Sequence, residues 1–224
     1  GITLWDRTGN QVIRNNTIAR TGRSGIDFGY VSFGQHLNVE IAYNDIYNFG
    51  MLNVDLGGIY GARMVDLTGT RIHHNWIHDS KATNDAESLQ LGINTGIYFD
   101  QASGPSTCDH NVLWNNVQSD IYTQPTYGGR SMGPSRYINN TLITNAGNGG
   151  NRHSYKSSVP SPVDIQRNNI YRDDIIVALG RVQPDVANSL LNNSSPQFVG
   201  TGGGGLAYRL KAGSPGIDQG TVIK

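Results

Sequence analysis

At 224 residues, with 17 acidic and 17 basic side chains and no block of like charge, the chain lacks the basic stripe of a nucleic-acid binder. No stretch approaches the apolar length of a membrane span, and a lone cysteine, Cys108, excludes an internal disulfide. Hydrophobic content is only 37% and glycine fills 29 positions, which is lean for a globule, but 11 tyrosines and regular apolar spacing argue against disorder.

The chain opens on strand-like GITLW, with no initiator methionine and no signal peptide. We expect a processed or truncated piece whose first coil rests on an N-terminal part of the same protein. A phrase then recurs, with apolar residues at alternate places around an asparagine. It reads IRNNTI, IAYNDI, IHHNWI, CDHNVL, YINNTL and IQRNNI. Registered on Asn16, Asn44, Asn75, Asn111, Asn140 and Asn168, the steps are 28, 31, 36, 29 and 28 residues. Near-constant spacing with variable insertions is the signature of stacked coils, and the alternation is that of strands, not helices. Stacked asparagines hydrogen-bond as a ladder, which gives them a structural role. Cys108 falls opposite Ile72 in the repeat and reads as a small buried hydrophobe.

After each asparagine phrase comes a second strand signal: SGIDFG, GGIYGA, TGIYFD and SDIYTQ. Each coil is therefore strand, turn, strand, turn, with Gly and Asn at the corners. Two coils are longer than the rest, and the excess leaves as loops at about residues 46–56 and 78–94. Both depart just before the GIY strands and should wall one face, as functional insertions or as neutral growth. Beyond Ile170 the pattern fades into a glycine run and AYRLKAGSPGIDQG. An open solenoid must cover its end, so residues 189–224 are expected to form the last coil and a cap on a single domain spanning 1–224.

These repeats, the GIY strands and the ending YRLKAGSPGIDQG resemble the right-handed parallel β-helix proteins of the pectin-lyase-like superfamily. The resemblance implies an all-β fold of about seven coils. It leaves function open, since such proteins include hydrolases, lyases, epimerases, spikes and adhesins. Within the superfamily, TGIYFDQASGPSTCDHNVLWNNVQSDIYTQ is similar to β-helical glycoside hydrolases of the xylosidase type. That similarity implies a nucleophilic Asp at the end of the first strand, matched by Asp100, and a Glu acid/base at the end of the next. Gln124 holds the second position and cannot donate and recover a proton.

Alternation places Ile97 and Phe99 inward and Tyr98 and Asp100 outward. Aligned coils give outward columns Asp27, Tyr60, Tyr98, Tyr122 and Gly29, Ala62, Asp100, Gln124. Three tyrosines beside a carboxylate read as a sugar-binding surface, or as tyrosines suited to exposed strands. Asp27 lies roughly 12 Å from Asp100, from two rungs of ~4.8 Å and a sideways offset, too far for a glycosidase pair. Partners for Asp100 are sought in the loop at residues 78–94, which brings Asp79, Asp85 and Glu87, or around the neighbouring rung, at Asp55 or Asp66; of these Glu87 and Asp55 sit inside insertions. Elimination would instead use Arg63, Arg130, His153, Tyr155 or Lys156 as base, often with calcium. His73, His74, His78 and His110 crowd one corner, but their spacing is wrong for a helical ligand pair and no metal is assigned.

The resulting expectation is a secreted, carbohydrate-active β-helix that hydrolyses an extracellular polysaccharide. Asp100 with Glu87 or Asp55 would be catalytic. Tyr60, Tyr98, Tyr122, Gln124, Asp27 and Arg63 would bind sugar, without a cofactor. A lyase, whose chemistry would bring in calcium, and a non-catalytic glycan-binding or surface module are the alternatives.

Overall fold

A side chain that alternates in and out along short strands can be buried only if the next coil lies flush on the last. In the computed structural model this is what the repeats do. The structure describes residues 1–29, 32–81, 94–131, 133–143, 153–157, 165–171, 175–177, 185–187, 197–200 and 204–214; for 153–157, 166, 171, 175–177 and 185–187 it describes the backbone only. Among them three parallel sheets run the length of the molecule, with seven, nine and six strands. The first contains Leu56–Gly61, Asn94–Phe99 and Ser119–Thr123. The second contains Asp66–His73 and Gly104–Asp109, and the third Trp76–His78 and Val112–Trp114. The chain visits first, second and third sheet in turn and then climbs one rung, the architecture of a parallel β-helix.

Register is held across successive rungs. Ile26, Ile59, Ile97 and Ile121 are paired in the first sheet, and Ile18, Ile46, Ile77, Leu113 and Leu142 in the third. Almost all of these are fully buried and, with Ile41, Ile72 and Phe99, they form one continuous core. Cys108 pairs with Ile72 and is wholly buried among them. A column of glycines explains the "G" of the GIY strands. A β-carbon on Gly58 would lie 2.7 Å from Ile77 and 2.9 Å from Phe49, and Gly25 and Gly96 are hemmed in by Ile46 and Leu113. The first sheet must come this close to the third for their apolar residues to meet.

The asparagine ladder runs through the corner between the second and third sheets. Asn16 Nδ2 donates to Asn44 Oδ1 at 3.0 Å, Asn44 to Asn75 at 2.9 Å, Asn75 to Asn111 at 3.0 Å and Asn111 to Asn140 at 3.0 Å. Each Oδ1 also accepts the backbone N–H of the asparagine in the rung before, and each Nδ2 reaches a backbone carbonyl as well. The register of the sixth rung differs from the sequence expectation. Asn140 donates to Asn169, not Asn168. Asn168 instead has φ +54°, as do its counterparts Asn15 (+57°), Tyr43 (+55°), His74 (+55°), His110 (+54°) and Asn139 (+54°). Every ladder residue thus follows a left-handed corner residue, for which asparagine is well suited; in NN pairs the first turns the chain and the second builds the ladder.

The described part of the C-terminal segment lies along the side of the coil. Phe198 bridges Leu210, and the short 3₁₀ turn Gly204–Tyr208 packs on the third sheet, with Gly204 and Gly205 against Trp76 and the Tyr208 ring 5.2 Å from Trp114. The cap expected over the end of the coil falls largely outside the described residues. On the same sheet, His78 is sandwiched between Tyr47 (5.2 Å) and Trp114 (3.9 Å). Its two nitrogens meet Asp79 at 2.7 Å and Asp45 at 3.0 Å.

Two outcomes follow for stability. Asn111→Ala leaves several buried partners unsatisfied at about 1–3 kcal/mol each, so urea denaturation should show a large loss, whereas Asn16→Ala at the exposed first rung should cost little. Burial opposes charge on His78, but the hydrogen bonds it donates to Asp45 and Asp79 outweigh it and raise its pKa above 6.5. Stability from this group is full below 6.5 and lost as pH rises through the higher folded value, so wild type should lose more stability than His78→Phe between about pH 6 and 9 when both are melted across that range.

Candidate functional site

The loops that enter the first sheet from the third carry polar residues over its outer face. Residues 20–25 bring Arg23, and residues 48–55 bring Asp55; the longest, residues 79–93, is described only to Lys81. Asp85 and Glu87 lie outside the described residues. Under the first two of these loops the registered column Asp27, Tyr60, Tyr98, Tyr122 is as aligned from the sequence. Continuing it, the backbone of Lys156 pairs with Tyr122, and that of Tyr155 with Ile121 in the inward column.

The tyrosines do not form the open platform expected of them. Tyr60, Tyr98 and Tyr122 are only 2, 1 and 5% exposed and make a second, outer apolar cluster with Ala62. Tyr98 stacks on Tyr122 at 4.6 Å and meets Tyr60 at 5.3 Å. Rungs ~4.8 Å apart bring like rings into contact, so their faces are spent on one another and on Arg23, whose guanidinium lies 4.9 Å above Tyr60. Only the hydroxyls remain for polar chemistry.

Those hydroxyls organise two carboxyls. Tyr60 donates to Asp100 Oδ2 at 3.2 Å, and the Tyr98 hydroxyl lies between Asp100 and Asp55, holding down the pKa of each. The structure thus brings Asp55 and Asp100 together. Asp100 is 5% exposed, and burial first, then the nearby Asp55 charge, pushes its pKa up. Asp55 is open to solvent on one side, yet surrounding protein also raises its pKa, against the pull of Arg23. The same two carboxylates, after burial, drive the Tyr98 phenol far above its ordinary value, so it stays a donor.

The other expected residues divide. Asp27 is ion-paired with Arg23, so this carboxylate belongs to the wall of the site; its pKa is nonetheless raised, burial outweighing the arginine. Gln124 accepts the Gln101 N–H at 3.2 Å through Oε1 and is hydrogen-bonded to Tyr122, which ties the end of the strand in place. Arg63, with φ +60°, is a half-buried corner residue between the first and second sheets. Asp66 is occupied by Thr68, at 2.9 and 2.6 Å, and Asp79 by His78 and Asn115, which removes both as partners for Asp100.

Three contributors escaped the sequence reading. Arg23, four residues before Asp27, links Asp27, Tyr60 and Asp55 in one charge network. Trp5 (64% exposed) and Phe33 (51%) supply the open aromatic faces along the edge of the first sheet that the tyrosines do not. Arg130, which the sequence offers as a base for elimination, is carried on the loop after Ser119–Thr123 and lies 5.3 Å over Phe33.

No family model matches the chain, and no curated protein matches it. Among solved structures, the crystal structure of pectate lyase Pel9A matches with a TM-score of 0.43 and 17% identity, over 99% of this chain and 65% of that one. This chain therefore spans slightly less than two thirds of that chain's length. The three stacked parallel sheets carry the assignment. The fold is a parallel β-helix.

The charge state of Asp100 can be read from stability. A carboxyl whose folded pKa exceeds 3.8 binds more protons folded than unfolded between the two values, so stability falls as pH rises through that window. Asp100→Asn should accordingly melt higher than wild type at pH 7, with the gain shrinking as pH approaches 3.8.

Proposed function

We propose that the protein is a carbohydrate-active enzyme that hydrolyses glycosidic bonds of a polysaccharide at the outer face of the first sheet, with Asp100 and Asp55 as the catalytic carboxyls. The observation that carries this reading is the pair itself: two acids with raised pKa values gathered at the hydroxyl ends of the tyrosine stack. Glycoside hydrolysis needs one carboxyl protonated and one ionised. In this reading the pair holds one proton between its two carboxyls, which the raised pKa of each supports. Asp100 receives the Tyr60 hydroxyl, a donor that favours its anion. Asp55, at the solvent edge, is then the protonated member, donating to the Tyr98 oxygen until a substrate oxygen takes its place.

In this reading Asp55 protonates the leaving oxygen while the Asp100 carboxylate acts on the anomeric carbon, directly or through water. Trp5 and Phe33 offer apolar faces for sugar rings, and Arg63, Arg130 and Gln124 lie at the edge where hydroxyls or carboxylates would be held. Glu87 remains a proposed helper from the adjoining loop. Export to the extracellular space fits a polymeric substrate and is proposed with it.

β-Elimination is the second reading. It is favoured by one observation, the register of Lys156 beside Tyr122, which puts a potential base at the next rung of the same column. The two are separated by products. On a panel of plant, algal and microbial polysaccharides, hydrolysis should release reducing ends without new absorbance near ~235 nm, where unsaturated uronates absorb; elimination gives both. Asp100→Asn and Asp55→Asn should each cut hydrolysis by about 10²–10⁴-fold, the usual size of an acid–base contribution. Full activity in Asp100→Asn would overturn the site, and binding without product would identify a glycan-binding module.

A further inference from the structure

The left-handed corner beside the asparagine ladder carries a second set of chemistry, remote in the coil from the first sheet. Rungs in register place Tyr43, His74 and His110 one above another. Tyr43 and His74 stack at 4.9 Å, and His74 and His110 at 4.9 Å with their planes 8° apart. Both histidines are exposed. A ligand atom from each, with one from Asp109, falls within 4.8 Å of the others.

Two relays set which ring nitrogen of each histidine holds its proton. Asp109 is buried, is held by Arg71 through two bonds of 2.7 Å, and meets His110 Nδ1 at 2.8 Å. A carboxylate only accepts, so His110 carries its proton on Nδ1 and leaves a lone pair on Nε2. The Asn139 amide, 3.2 Å from that Nε2, sits where a donor belongs. On the rung before, Glu40 lies 3.4 Å from His73 Nε2, which fixes that proton and makes His73 Nδ1 an acceptor. His74 Nδ1, 2.9 Å away, must then be the donor, and its Nε2 is left with a lone pair too. Both imidazoles therefore present the same unprotonated nitrogen, each oriented from behind by an anchored acceptor. A hydrogen-bonded carboxylate or equivalent behind an imidazole is what fixes a metal-binding histidine.

We propose that His74 and His110 bind one late first-row divalent ion, Zn²⁺, Ni²⁺ or Cu²⁺, through their Nε2 atoms, with Asp109, His73 and Glu40 as the shell that sets both rings. Imidazole pairs select these ions over calcium and magnesium. Bonds of about 2.0–2.1 Å require the nitrogens to close to roughly 3 Å, so the two rings must tilt out of their parallel stack toward a common point, which their exposure allows. Asn139 gives way, and solvent completes the coordination. Asp109 stays with Arg71 and is not itself a ligand.

The test is calorimetric titration of the full chain with each ion alone, with Cu²⁺ also followed by electron paramagnetic resonance. The expected result is one ion per chain and coupling to imidazole nitrogen. His74→Gln and His110→Gln are surface changes that should keep the circular dichroism spectrum and weaken binding at least about tenfold each; Glu40→Gln, which touches no metal, should weaken it by a smaller factor. No saturable binding of any of the three ions, unchanged affinity in either glutamine variant, or equal affinity for Ca²⁺ would each overturn the proposal.

Discussion

The asparagine ladder is the constraint on which the rest of the molecule depends. An amide offers two donors and two acceptor sites, and here the inner rungs use all four on the neighbouring coils. No other side chain of that size offers two donors and two acceptor sites without burying a charge. Because the ladder fixes one atom of each coil over the same atom of the next, the distance along the chain between rungs becomes irrelevant. Insertions of different length then leave the stack undisturbed.

That tolerance is what allows a site to exist. The loops carrying Arg23 and Asp55 leave the coil at the same corner and return at the same sheet. They therefore converge over one column even though they are more than thirty residues apart in sequence. The price is charge buried against apolar rings, and it shows in the raised pKa values of Asp27, Asp55 and Asp100. A surface designed only for stability would not gather three acids around a tyrosine stack.

The stacked geometry has a second consequence on the opposite corner. Wherever a repeat places the same kind of residue at the same turn, the solenoid turns it into a continuous row. On the first sheet that row is phenols with their hydroxyls turned to carboxyls. At the ladder corner it is Tyr43, His74 and His110, and on the third sheet it is Tyr47, His78 and Trp114. One repeat unit thus yields three lateral faces of different chemistry.

The period of the asparagine phrase and the alternation within it determined the fold by themselves, because a residue bonded to its own kind one coil away must recur at coil spacing. They also fixed the columns Tyr60–Tyr98–Tyr122 and Ile72–Cys108. What they could not supply was position across the third dimension. Asn168 and Asn169 are adjacent and identical, and only the corner's positive φ decides that the second one enters the ladder. Alternation correctly put the tyrosines outside the coil, but outside is exposed only if nothing lies over it, and loop paths are not periodic. The partnership of Asp55 with Asp100 and the arrival of Arg23 were likewise decided by those paths, since hydrogen bonds made between loops leave no repeat in the sequence to read.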